Sequence, residues 1–277
     1  MLDSKDTQSK FTFINHSNGA SGNFLARLCL ILFGDYNHLQ EARENYYHMH
    51  FDTSDFVKDG SELKNHLDRI IYLDFIPDIS NKLSEFNCHV VLPYLYNSLI
   101  SKWFSDNIKA FPKRYFDHYI CVMHIKNPDH ILNCIPNSNY IKIKADYEDF
   151  QQLSFNFVTK LLPILPDHGR SMIDFWCKNL NYNLDDYTDI RKIVWLHWQF
   201  NKEYITEQNN YIPSYYIPTL EINFKNITDV SIINRLIAFL EIENVNSDIK
   251  SLAADFIQKY SNSQKKIPWI LTEDEYI

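Results

Sequence analysis

The sequence predicts an α/β domain built on a mainly parallel central sheet with flanking helices. In the N-terminal half, short apolar runs alternate with stretches of helical periodicity, a pattern typical of parallel strands joined by crossover helices. From about residue 146 the pattern becomes mostly helical, and 45% of the 277 residues are hydrophobic, enough for one core. We therefore predict a single domain over residues 1–277, with a flexible N-terminus at about 1–10 and a helical insertion at about 163–215.

The predicted strands are short apolar runs bounded by polar or turn-forming residues. They lie at 11–16, 69–75, 89–94, 118–124, 140–144 and 216–224. Helical periodicity predicts helices at about 22–33, 38–48, 78–86, 97–109 and 128–134, and then at 146–162, 169–179, 186–207, 229–240 and 246–260. We expect the first strand to lie in the interior of the sheet.

Charge and cysteine usage exclude several classes of protein. The net charge is −8 and no long basic run occurs, which argues against a nucleic-acid partner. The five cysteines are widely spaced with no CxxC pair, as expected for free thiols in a reducing compartment. No signal-peptide pattern occurs, and no apolar run approaches the roughly 18 residues of a membrane span. These features predict a cytoplasmic protein without a membrane span.

One loop contains two of the five glycines in the chain. It follows the first strand directly, and its residues are Ser17, Asn18, Gly19, Ala20, Ser21, Gly22 and Asn23. Glycine allows positive φ and close approach of a ligand, while the start of the following helix presents unpaired N–H groups and positive potential. The loop is therefore predicted to bind a phosphate-like anion. The alternative is a tight turn with Ser21 or Asn23 as a helix cap.

The segment from Phe13 to Leu25 resembles the loop of P-loop sulfotransferases that holds the 5′-phosphosulfate end of the donor PAPS, especially in the divergent marine bacterial and phage forms. The pair Ser21-Gly22 matches the Ser-Gly core of that family. Residues 118–128 are similar to the strand that delivers the catalytic histidine of the family, here His124. Residues 218–242 are similar to its late strand, turn and closing helix.

The chain departs from the family at two points. Ala20 stands where the family usually has a lysine just before Ser-Gly. The 3′-phosphate region of the family usually pairs an arginine with a serine, and residues 140–154 offer Lys142, Lys144 and Ser154 but no arginine.

The resemblance implies a three-layer architecture like that of P-loop NTPases, with a helical C-terminal part. It implies transfer of a sulfuryl group from PAPS to a hydroxyl or amine of a small molecule, carbohydrate or lipid, with adenosine 3′,5′-bisphosphate as product and no metal. Residues 17–23 and Ser154 would bind the donor, and His124 would act as the general base. Two alternatives remain open, a catalytically inactive binding or assembly protein of this fold and another P-loop phosphotransferase.

Four other histidines are relevant to the same chemistry or to metal binding. His16 ends the first strand and borders the loop, so it rivals His124 as a base. His197 lies in an aromatic helical segment and is interpreted as structural. His48 and His50 share a spacing that suits one face of a strand, but no third ligand accompanies them, and no metal site is predicted.

Overall fold

A computed structural model describes residues 11–17, 19–33, 90–95, 138–161, 166–212 and 216–276. The predicted N-terminal segment at 1–10 and the predicted strands at 69–75 and 118–124 lie outside the described residues. The helices predicted at 38–48, 78–86, 97–109 and 128–134 also lie outside them.

The described strands form one parallel sheet of four strands. They are β1 (Phe11–His16), β2 (Val90–Leu95), β3 (Ser138–Lys144) and β4 (Thr219–Asn223), in the order β2-β1-β3-β4. Each neighbouring pair is parallel. The predicted parallel sheet and the interior position of the first strand are thus confirmed for the described part of the chain.

The described helices follow the predicted ones within a few residues, with one exception. They are α1 (Gly22–Leu32), α2 (Phe150–Asn156), α3 (Pro166–Leu180), α4 (Ile190–Asn210), α5 (Ile232–Phe239) and α6 (Ser247–Ser263). The exception is the helix predicted at 146–162, which is divided into three parts. A 3₁₀ turn at Tyr147–Asp149, which Asp146 and Asp149 flank with a capping box, precedes α2, and a π turn at Phe157–Leu161 follows it.

The helices lie on both faces of the sheet. Successive residues of a strand point to opposite faces, and Asn15 pairs with Lys142 across the sheet. The Lys142 side chain contacts backbone carbonyls at the end of α4, whereas the His16 ring lies over Gly22 at the start of α1. The start of α1 and the end of α4 therefore flank opposite faces. Helix α1 packs with α5 and α6, and α4 packs with α2 and α3.

The last described segment is tied back to the helix that follows β3. The Gln151 side chain accepts a hydrogen bond from the Leu271 N–H at 2.8 Å and donates one to the Leu271 carbonyl at 2.6 Å. Gln152 accepts one from the Ile267 N–H at 2.9 Å. Two glutamine side chains thus bind the backbone of 267–271.

Among the helices that the structure describes, none combines the length and the apolar character needed to cross a bilayer.

Candidate functional site

The loop after β1 lies where ligands bind in open parallel sheets. From β1 the chain proceeds to β2 on one side, and β3 then pairs with the other side of β1. Among the described strands, the direction of strand order therefore reverses at β1, and a crevice forms at the carboxyl ends of strands at such a reversal. The loop from Ser17 to Ser21 and the start of α1 occupy this position.

Among the described residues of the loop, two have positive φ angles. Gly19 has φ +78°, and Ser21, which precedes the first residue of α1, has φ +66° in the left-handed region. The Ala20 N–H donates to the Ser17 carbonyl at 3.0 Å, which closes a tight turn between them. A left-handed serine is uncommon and is stabilised only when its surroundings fix it.

Two contacts from α2 and α4 hold the first half of the loop. Ser17 Oγ donates to Gln208 Oε1 at 2.8 Å, and Gln208 in turn donates to the Ile143 carbonyl of β3 at 3.1 Å. Asn156 donates from its side-chain nitrogen to the Gly19 carbonyl at 3.2 Å. Both glutamine and asparagine side chains are buried, so these bonds lie where water does not compete for them.

A tyrosine from α6 holds the second half of the loop. The Tyr260 hydroxyl donates a hydrogen bond to Ser21 Oγ, and its ring stacks on Phe24 with the ring centroids 3.8 Å apart. Burial raises the pKa of Tyr260 to about 12, while the hydrogen bond with Ser21 acts in the opposite direction. The tyrosine is therefore neutral at physiological pH and serves as a fixed donor.

Both glycines of the loop are explained by contacts inside the protein. A Cβ on Gly19 would stand less than 3.0 Å from the Leu153 carbonyl oxygen and 3.2 Å from the Phe157 nitrogen. A Cβ on Gly22 would stand less than 3.0 Å from three atoms of the His16 ring. The sequence suggested that the missing side chains let a ligand approach. In the structure they let the backbone of α2 and the His16 imidazole approach.

No side chain among the described residues caps the N-terminus of α1. Ser21 is the N-cap residue but makes no side-chain capping bond, and the first turn contains no acidic residue. By contrast, Asp189 caps α4 by accepting from the Lys192 N–H, and Asn246 caps α6 by accepting from the Ile249 N–H. The first N–H groups of α1 and the positive end of its dipole are therefore not balanced by a local cap.

Two buried polar side chains lie beside the loop, each with one atom unpaired. His16 is only 7% exposed, and its Nδ1–H donates to the Ser17 carbonyl at 3.0 Å. This bond leaves Nε2 as the bare acceptor nitrogen, which has no partner among the described residues. Burial lowers the pKa of His16 to about 4. Asn15 donates to the Tyr140 hydroxyl at 2.5 Å, and its own Oδ1 likewise lacks a described partner.

The two lysines of the predicted 3′-phosphate region are engaged within the protein. Lys142 is buried and donates to the carbonyls of Asn209 and Tyr211 at 2.5 and 2.7 Å. Burial lowers the pKa of Lys142, and Glu221, 3.9 Å away, opposes that shift. Lys144 pairs with Glu221 at 3.3 Å. Lys142 thus binds the carbonyls at the C-terminal end of α4, where a cation is favoured by the helix dipole.

Ser154, the other predicted donor-binding residue, belongs to a buried aromatic cluster. Its Oγ lies 2.9 Å from His197 Nδ1, and both residues are 0% exposed. The His197 ring stacks on Phe157 with centroids 4.4 Å apart and meets the edge of Trp176 at 5.0 Å. Burial lowers the pKa of His197 to about 3. A role for Ser154 in phosphate binding would require its hydroxyl to leave His197.

The structure thus brings the described residues of the predicted loop together and places Ser154 in the core against His197. Asn23 lies in the first turn of α1, and the predicted base His124 and Asn18 are outside the described residues. Three residues that support the loop, Asn156, Gln208 and Tyr260, could not be predicted from the sequence. They lie 137 to 239 residues away along the chain, and no local pattern marks them.

Within the described ranges, no group of three or more His, Cys, Asp or Glu is placed to hold a metal ion.

Comparison with known proteins finds no relative of this chain. No protein-family model matches it, and no curated protein or solved structure is significantly similar to it. The fold and the site define the class only, an α/β protein with a parallel sheet and a buttressed strand-loop-helix at the point where strand order reverses.

Proposed function

We propose that this chain is a sulfotransferase-like enzyme that transfers a sulfuryl group from PAPS to a hydroxyl or amine acceptor, on a P-loop NTPase-like architecture. The loop from Ser17 to Asn23 would hold the phosphosulfate end of the donor. The observation that carries the proposal is the N-terminus of α1, which no described side chain caps and which follows the loop at the reversal of strand order. Backbone N–H groups and a positive dipole end in this position favour an anion.

Sulfuryl transfer requires the protein to stabilise the leaving phosphate and to remove a proton from the acceptor. As the acceptor oxygen or nitrogen bonds to sulfur, the bond from sulfur to the bridging phosphate oxygen breaks, and negative charge grows on the phosphate. The first N–H groups of α1 would stabilise that charge, because they are already oriented by the fold. A base must also take the proton of the acceptor, and His124 is proposed for this role from the resemblance.

Binding of the reaction product tests the proposed ligand. We expect adenosine 3′,5′-bisphosphate to raise the melting temperature, because a ligand that binds only the folded state at ~100 times its Kd stabilises that state by about 2.7 kcal/mol. ATP with Mg²⁺ is the matched control and should have a smaller effect. A larger shift with ATP and Mg²⁺ would instead support a phosphotransferase. No shift with either nucleotide would contradict the proposal.

Replacement of the proposed base tests the proposed reaction. We expect His124→Ala to lower sulfuryl transfer from PAPS about 10²-fold while leaving affinity for adenosine 3′,5′-bisphosphate unchanged, since a general base acts in the transition state. His197→Ala is a poor control because that residue is buried in the core, so His168→Ala serves better as another histidine of the C-terminal half. Equal activity of His124→Ala and wild type would remove His124 from the mechanism.

One observation favours the alternative of an inactive binding protein of the same fold. The space beside both loop glycines is filled by protein atoms, and Ala20, where the family has a lysine, is buried. In that case the loop has a structural role and holds β1 against α2, α4 and α6. Affinity for adenosine 3′,5′-bisphosphate without its release from PAPS, in the presence of mixed hydroxyl and amine acceptors, would favour this alternative.

A further inference from the structure

We infer that His16 is the group that supplies positive charge to an anion held at the N-terminus of α1, by taking up a proton at Nε2 when the anion binds. The inference rests on the proposed anion site, and it names the residue that completes it. The class of ligand is a phosphate or sulfate group with two negative charges.

The geometry places the imidazole beside the proposed anion donors. The ring lies against Gly22, the first residue of α1, with Nε2 among the ring atoms that a Cβ on Gly22 would meet within 3.0 Å. The opposite ring nitrogen is fixed by its bond to the Ser17 carbonyl, so the ring orientation is set and Nε2 is the only nitrogen free to bind a proton. A buried nitrogen without a partner is an unusual feature that a bound group would satisfy.

The side chains that hold the loop do not supply the charge. They include Asn156 from α2, Gln208 from α4 and Tyr260 from α6, and of these three only the tyrosine titrates. The pKa of Tyr260 is raised to about 12, so it is neutral. Lys142 points to the opposite face of the sheet from His16 and binds carbonyls there. Among His16, Tyr260 and Lys142, only His16 both lies at the start of α1 and can gain a positive charge there.

The energetics allow the change in protonation. Burial and the positive end of α1 disfavour the imidazolium in the free protein, whose His16 pKa is about 4. An opposite charge within ~4–6 Å raises the pKa of a base by roughly 1–3 units. A doubly charged anion at the start of α1 therefore raises the pKa of His16 toward neutral pH.

Inorganic sulfate is the probe, because it has no proton of its own that titrates near neutral pH. The imidazole nitrogens of the full chain are followed by NMR between about pH 5.5 and 8, in sodium sulfate and in sodium chloride at equal ionic strength. We expect His16 to remain neutral in chloride and to titrate in sulfate. His197, equally buried with an unpaired Nε2, is the internal control and should remain neutral in both salts.

The affinity for sulfate provides a second readout. Wild type should bind sulfate about tenfold more tightly for each unit of decreasing pH between the free and bound pKa values of His16, whereas His16→Asn should bind equally at each pH. If sulfate shifts the backbone amides of Gly19 to Gly22 while His16 stays neutral, the inference is overturned and the proposed anion site remains. If neither sulfate nor adenosine 3′,5′-bisphosphate binds, both are overturned.

Discussion

Gly19→Ala is expected to lower the free energy of unfolding by about 2–5 kcal/mol, enough to unfold a large fraction of a protein of ordinary stability. Two costs combine at this position. Gly19 has φ +78°, a region that strains any residue with a Cβ. The new Cβ would also stand less than 3.0 Å from the Leu153 carbonyl oxygen, a backbone atom that cannot turn aside as a side chain can. Chemical denaturation of both proteins measures the difference.

Gly22→Ala is the matched control. Its new Cβ would meet a side chain, whereas the new Cβ at position 19 would meet backbone atoms. The φ of Gly22 is not positive, and the three nearest atoms all belong to His16. Gly22→Ala should therefore be partly rescued by His16→Ala in a double-mutant cycle, with a coupling energy of about 1–3 kcal/mol. No truncation of a side chain should rescue Gly19→Ala. Equal stability of Gly19→Ala and wild type would show that α2 does not pack on the loop as described.

The class of fold could be predicted from the sequence because its signals are local. The strands β1, β2, β3 and β4 each appear as a short apolar run, and alternation with helical periodicity predicts parallel pairing. The order β2-β1-β3-β4 could not be predicted, since a run of apolar residues does not specify its neighbour. The division of the helix at 146–162 could not be predicted, because acidic residues such as Asp146 and Asp149 suit the first turn of an α-helix as well as a 3₁₀ turn.

The site could be predicted only in part. Two of the only five glycines in the chain fall in the loop, which predicted an unusual backbone conformation there. The positive φ angle of Gly19 agrees with that prediction. Sequence spacing could not show that the second glycine makes room for His16, or that Ser154 contacts His197 in the core. These contacts join residues far apart in the chain, and they depend on how α2 and α4 cross the sheet.

Acidification is expected to destabilise the fold strongly below about pH 6.5, through the two buried neutral histidines. The pKa of His16 is lowered to about 4 and that of His197 to about 3, in both cases mainly by burial. The unfolded chain binds a proton at each site near pH ~6.5, so between these values it binds more protons than the folded protein. The free energy of unfolding therefore rises with pH in this window and falls as the pH decreases.

The magnitude follows from the difference in proton binding. Each histidine contributes a slope of about 1.4 kcal/mol per pH unit, and the slope persists down to about pH 4 for His16 and about pH 3 for His197. The two together remove about 6 kcal/mol by pH 4, comparable to the whole stability of many domains. Above pH ~6.5 both histidines are neutral in either state, and their contribution is constant.

A variant separates this linkage from simple loss of packing. His197→Leu removes the titrating group but leaves the Ser154 hydroxyl buried without its partner, a cost of about 1–3 kcal/mol that does not depend on pH. We expect the variant to be less stable than wild type at pH 7, yet to lose stability on acidification with about half the slope. Urea unfolding at several pH values between ~6.5 and ~4.5 measures both quantities. A parallel displacement of the two stability curves, with no change of slope, would mean that His197 is not held neutral by burial.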